Sequence, residues 1–167
     1  MSDAYIYTVR HGIAADQSAA YPDDADRPLT DEGIERLRVQ FRALKEMGVE
    51  LDHVVTSPLL RARQTGEWLA AAFKAAPALV VCDALRPGGR YDALLSDLAR
   101  LPHARSVALV GHEPSIGMVA AALIGLRGAI PFKKGAVCRV AVDGIPPSAP
   151  GQLEWFLPPR VLRGLAR

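Results

Sequence analysis

Tyr5-Ile6-Tyr7-Thr8-Val9, followed at once by Arg10-His11-Gly12, decides how this chain is read. Five apolar or β-favouring residues in a row form a buried strand. The arginine and histidine then fall at the strand's carboxyl end, where α/β sheets present their reactive groups. Neutral imidazole is a nucleophile, and a neighbouring guanidinium binds phosphoryl oxygens in bidentate fashion. A three-residue match gains weight only when similar groups end other strands.

They do. Val54-Val55-Thr56 is a short strand, followed by Ser57-Pro58 as N-cap and first helical residue of a helix reaching about Phe73. Leu60, Trp68, Leu69 and Phe73 are its expected core residues. Leu79–Cys82 reads as a third strand and Tyr91–Leu101 as a third helix ended by Pro102. Ser106–Val110 is a fourth strand, after which Gly111-His112-Glu113-Pro114 leads into a helix through Leu123. Between the first two strands, a loop rich in Asp, Ala and Pro runs to Pro28. Thr30-Asp31-Glu32 then opens a helix with an apolar stripe at Ile34, Leu37, Phe41 and Leu44, closed by Gly48. Strands alternating with helices imply a three-layer α/β/α sandwich with a mostly parallel sheet. Gly135–Val142 and Leu153–Leu157, joined by a Pro/Gly loop without a helix, are expected to form an antiparallel C-terminal edge hairpin.

Bulk properties agree. The 167 residues, half of them hydrophobic and 23% charged, suit a single domain spanning 1–167 with a real core. A net charge of +2 gives no basic face for nucleic acid. Met118 to Ile124, the richest apolar stretch, is about a third of a membrane span. Cys82 and Cys138 lie in strand-like runs with no CxxC neighbour, so two buried free thiols are expected. No basic n-region and apolar h-region open the chain. A cytoplasmic monomer with no membrane or nucleic-acid partner is the expectation.

In a parallel sheet the carboxyl ends share one rim, which brings Arg10, His11, Arg61 and His112 to one crevice. Helix N-termini at two of the three segments favour anions. Singly, His11 reads as a buried core histidine, Arg61 as a surface arginine beside Arg63, and His112 as a helix cap. Together they form a site for a phosphoryl group. Arginines flanking the histidines disfavour a metal, and no metal or cofactor is expected.

Arg10-His11-Gly12, Ser57-Pro58-Leu59-Leu60-Arg61-Ala62-Arg63-Gln64-Thr65 and Gly111-His112-Glu113-Pro114 resemble the signature segments of the histidine phosphatase superfamily, the phosphoglycerate-mutase-like fold. The resemblance is to its SixA-type phosphohistidine phosphatases, supported by Arg27-Pro28-Leu29-Thr30, Phe132-Lys133-Lys134-Gly135-Ala136 and the tail from Trp155 to Arg163. It implies that His11 attacks phosphorus and becomes transiently phosphorylated. Arg10, Arg61 and His112 then hold the non-bridging oxygens, with Gly12, Ser57 and Arg27 as substrate-binding residues.

One departure bears on the substrate. Many superfamily members carry a glutamate after the third strand that protonates an alcohol leaving group, whereas this chain has Ala84-Leu85-Arg86-Pro87-Gly88-Gly89-Arg90. General-acid help is worth roughly 10²–10⁴-fold. Imidazole, whose conjugate acid titrates near about 6.5, leaves without it. Phosphohistidine on a protein, such as a histidine phosphotransfer domain, is therefore the expected substrate, and small phosphorylated metabolites or a non-catalytic phosphoprotein-binding role are the alternatives. Asp83, Asp92 and Glu113 are the nearest replacement acids by sequence, and a loop carboxylate from Asp23 to Asp26 is a further candidate. Lys133, Lys134, Arg160, Arg163 and Arg167 are candidates for steering an acidic partner, with solvated surface charge as the equal alternative.

Overall fold

The structure, a computed structural model, describes residues 4–167. Its centre is a six-stranded sheet ordered β3-β2-β4-β1-β5-β6. The strands are β1 (Ala4–Arg10), β2 (His53–Thr56), β3 (Ala78–Val81), β4 (Ser106–Gly111), β5 (Val137–Val142) and β6 (Gln152–Leu157). β1 to β4 run parallel, while β5 lies antiparallel to both β1 and β6. The expected mostly parallel sheet with an antiparallel edge hairpin is therefore present.

Helices cover both faces, and the period-2 alternation of the strands shows why. Val107 and Leu109 of β4 enter one core with Ile6, Val55, Leu94, Leu98 and Ile116. Ala108 and Val110, one residue out of phase, enter the other with Tyr7, Val9, Leu37, Phe41, Val54 and Leu69. The first core belongs to α3 (Tyr91–Leu98) and α4 (Ser115–Leu123), the second to α1 (Asp31–Glu46) and α2 (Leu60–Ala71). Strands buried on both sides read as continuous apolar runs, as Tyr5–Val9 does.

Local signals place α1 as expected. Thr30 caps it by accepting from the Gly33 N–H, and Gly48 follows its end at φ +80°, a conformation that favours glycine. Gly33 also permits a close approach: a Cβ there would stand 2.3 Å from the Ile13 carbonyl oxygen. That contact seats the start of α1 directly against the segment following His11.

Several boundaries differ from the expectation. α2 starts at Leu60 with Leu59 as its cap residue, so Ser57-Pro58 is not its cap and first helical position. Trp68 is not a core residue but 37% exposed, because it faces away from the sheet while Leu69 and Phe73 face in. α3 ends at Leu98, three residues before the expected stop at Leu101. A last helix, α5 (Pro159–Leu165), follows the hairpin and inserts Leu162 into the α1–α2 core. Its single buried apolar residue left too short a periodic pattern to mark it. Cys82 and Cys138 are buried free thiols, as anticipated.

Candidate active site

Register brings the site together. Arg10 of β1 stands directly across from Gly111 of β4, and Thr56 of β2 across from Val110. The residues that follow each strand, His11, Ser57 and His112, therefore emerge side by side. Their backbones continue the ladder: the His11 N–H donates to Gly111 O at 3.0 Å and the Ser57 N–H to Val110 O at 3.0 Å. The His11 and His112 rings lie 5.1 Å apart between centroids, and both are buried.

The protonation pattern of His11 follows from its partners. Nδ1 lies 2.7 Å from the Gly12 carbonyl, which only accepts, so Nδ1 carries the hydrogen. Nε2 then bears the lone pair, and it accepts from the Arg61 Nε–H at 3.3 Å. Burial lowers the His11 pKa to about 3, reinforced by His112, Arg61 and Arg10 and opposed by the Gly12 hydrogen bond. The ring is neutral at neutral pH, with Nε2 directed at a guanidinium.

His112 is likewise neutral. Burial, followed by the Arg61 charge, lowers its pKa to about 4. Its Nε2 lies 2.8 Å from Ser57 Oγ, which also receives the Leu59 N–H at 3.3 Å. The other nitrogen, Nδ1, is buried without a hydrogen-bond partner, as are Arg10 Nε and Glu113 Oε1. Buried polar atoms without partners are rare in folded proteins. Those of Arg10 and His112 belong to residues that flank His11. Arg10 is fixed at its other end by donating from Nη1 to Phe132 O at 2.7 Å.

Arg61, a surface residue on its own merits, is buried here. Its Nη1 donates to the Asp24 carbonyl at 2.7 Å and its Nη2 to Asp24 Oδ2 at 3.0 Å. Asp24 begins a 3-10 turn (Asp24–Asp26), and Arg27 grips its other oxygen with Nη2 at 2.8 Å and Nε at 2.9 Å. Burial alone would raise the Asp24 pKa, but the two arginines outweigh it and hold the carboxyl below its usual value. A carboxylate from the Asp23–Asp26 loop does reach the site, as a partner of Arg61. Its only sequence mark is a cluster of acids ahead of Arg27.

The remaining residues are placed as follows. Gly12 donates its N–H to Thr65 Oγ1 at 3.1 Å and accepts the His11 Nδ1–H on its carbonyl, so it orients the histidine. Ser57 orients His112, and Arg27 meets the site through Asp24. Thr65 also donates to Arg61 O at 2.7 Å, tying β1's end to α2, and Gln64 Oε1 receives the Leu29 N–H at 2.8 Å. Spacing alone gave Thr65 and Gln64 no role. Asp83 and Asp92 pair with Arg86 and Arg90 on the surface. Arg163 is half-buried and donates to Gln40 Oε1 at 3.1 Å, and the Gln40 amide in turn holds Gly135 O. Lys133, Lys134, Arg160 and Arg167 are exposed.

Neutral buried histidines make acid stability a readout of the site. Between the unfolded value near 6.5 and the folded values near 3 and 4, the unfolded chain binds more protons. Stability from this pair is complete above about pH 6.5. It falls as the pH drops toward 4, each histidine losing about 1.4 kcal/mol per pH unit. Thermal unfolding from pH 7 to pH 4 should show a steep fall in Tm. The fall should be shallower in His112→Asn.

Residues 6–87 match the family model of the histidine phosphatase superfamily (branch 1). Phosphohistidine phosphatase SixA of Escherichia coli (strain K12) is 30% identical over 156 residues, 92% of this chain and 93% of that protein. An uncharacterized protein of Picosynechococcus is 46% identical over 121 residues, 71% of this chain and 72% of its own length. Among solved structures, the protein histidine phosphatase SixA complexed with tungstate gives a TM-score of 0.82 at 30% identity, covering 93% of this chain and 97% of that one. Fold and likeness together define an α/β phosphatase of SixA type. The chain belongs to the histidine phosphatase superfamily.

Proposed function

We propose that the protein removes the phosphoryl group from phosphohistidine on another protein, through a phosphohistidine intermediate on His11. The observation that carries this reading is the neutral His11 ring, with Nδ1–H fixed by Gly12 and the Nε2 lone pair held against Arg61. Phosphorus is the electrophile that suits such a lone pair among arginines.

In the first step, Nε2 of His11 forms a bond to phosphorus while the P–N bond of the substrate breaks. With the substrate ring protonated on its distal nitrogen, the leaving group departs as neutral imidazole, and no enzyme acid is required. His11 retains the hydrogen on Nδ1, so the intermediate is a phosphoimidazolium. In the second step, water forms a P–O bond, the P–Nε2 bond breaks, and dihydrogen phosphate leaves neutral His11. Arg10 and Arg61 take the charge spread over the phosphoryl oxygens, and the arginines stand where other phosphatases use a metal. Ser57 gives its hydroxyl hydrogen to His112 Nε2, which leaves the Nδ1–H of His112 to donate to a phosphoryl oxygen.

Two features favour phosphohistidine over a phosphomonoester. Residues 84–90 carry no carboxylate, and Asp24 is kept ionised by Arg61 and Arg27, which makes it a poor proton donor. The SixA relative is named for the same substrate. The decisive assay compares a phosphohistidine protein, an aryl phosphate and an alkyl phosphate in the presence of a chelator. Turnover of phosphohistidine at least about 10²-fold above the alkyl phosphate is expected, that being the scale of absent general-acid help. Dominant alkyl phosphate turnover would refute the substrate, loss in the chelator the metal-free mechanism, and no turnover at all would favour a binding module.

A further inference from the structure

Asp24 is the most exposed member of the cluster around His11. Its side chain is 46% exposed, against 5% for Arg61, so the carboxylate stands between the buried guanidinium and solvent. It is also rigidly placed. Arg61 and Arg27 grip both its oxygens, the Arg61 Nη1 holds its carbonyl, and the Asp23 carboxylate caps its turn through the Ala25 N–H at 2.9 Å. A carboxylate could brace Arg61 from any depth, but this one stands nearly half exposed, where a fixed negative charge works against the attraction of anions.

We infer that Asp24 is a specificity-determining residue, whose fixed carboxylate rejects phosphorylated compounds that carry a second anionic group near the phosphoryl. This rests on the phosphatase reading above and deepens it. Every substrate presents the same phosphoryl oxygens to the arginines, so discrimination must come from the leaving group. An imidazole brings no negative charge past Asp24, and a protonated one brings a positive charge. A phosphoglycerate brings a carboxylate, which meets a like charge held in place by two arginines. In water such a contact costs about 1 kcal/mol at 4 Å, a factor of about five, and more where solvent is partly excluded. Specificity of this kind works by penalising the wrong partner as much as by holding the right one.

The test compares wild type, Asp24→Asn and Asp24→Glu on phosphoimidazole, phenyl phosphate and 3-phosphoglycerate. In Asp24→Asn the kcat/KM ratio of phosphoimidazole to 3-phosphoglycerate should fall about fivefold or more, and the difference should shrink at high salt. The ratio of phosphoimidazole to phenyl phosphate, which carries no second anionic group beside its phosphoryl, should fall less. Asp24→Glu keeps the charge and should keep the discrimination. Equal losses on all three substrates in Asp24→Asn would reduce Asp24 to a brace for Arg61 and overturn the inference. If wild type turns over none of them, the phosphatase reading fails, and binding still decides this one. Calorimetry of phosphoglycolate against inorganic phosphate should then show Asp24→Asn gaining about fivefold for phosphoglycolate relative to phosphate, and an unchanged ratio would overturn the inference.

Discussion

His11→Ala is expected to abolish turnover of every phosphorylated substrate, a loss of at least about 10⁴-fold in kcat. On the proposed mechanism the buried neutral ring supplies the lone pair that attacks phosphorus, and no neighbour among the described residues offers an equivalent one. The other imidazole, His112, has its Nε2 engaged by Ser57. Arg61 and Asp24 would retain each other, because their ion pair does not depend on His11. The substituted site should therefore still bind inorganic phosphate. The check is a paired measurement, turnover and phosphate binding on the same folded sample, with Tm confirming the fold. Alanine also removes a buried titrating group, so the variant should lose less stability on going from pH 7 to pH 4. Retained activity with unchanged phosphate binding would mean that the nucleophile lies elsewhere.

Arg61→Lys is expected to lower kcat by roughly 10²–10³-fold, the scale on which removal of one transition-state donor is felt. Arg61 uses its three nitrogens on three acceptors: His11 Nε2, Asp24 O and Asp24 Oδ2. An ammonium has no fork, so it cannot hold the carboxylate and face the nucleophile together. In the free protein, the Nε–H of Arg61 occupies the His11 lone pair that the proposed mechanism uses for attack. On the proposed mechanism that hydrogen bond would pass from Nε2 to a phosphoryl oxygen during transfer, while the guanidinium stays anchored by Asp24. The loss should fall on kcat more than on KM, because the interaction strengthens as charge develops. A loss confined to KM would assign Arg61 to ground-state binding alone.

Legibility of the fold tracked burial. Strands covered on both faces leave unbroken apolar runs, so β1, β2 and β4 were visible within a residue or two, and with them the shared rim. Capping chemistry marked α1 through Thr30, but at α2 it misled. Ser57 and Pro58 have the chemistry of a helix start, yet Ser57 spends its hydroxyl on His112 and the helix begins at Leu60. A single sequence does not say which of two hydrogen-bonding partners a serine will choose. Trp68 shows the complementary failure, because hydrophobicity alone does not tell which side of a helix will face the sheet.

What the sequence by itself determined is the identity and order of the chemistry. Strand patterning put Arg10-His11, Arg61 and His112 after strands one, two and four, and parallel pairing compels those ends to one edge. Only the tertiary structure decided the states of these groups. The hydrogen on Nδ1 of His11 depends on where the Gly12 carbonyl points, and the low pKa of both histidines on how deeply the rim is buried. Asp24 meets Arg61 across 37 residues because a 3-10 turn folds the connecting loop back over α2. Local patterning is written in neighbouring residues. Protonation, desolvation and long-range ion pairing depend on distances that exist only once the sheet has closed and the loop has settled upon it.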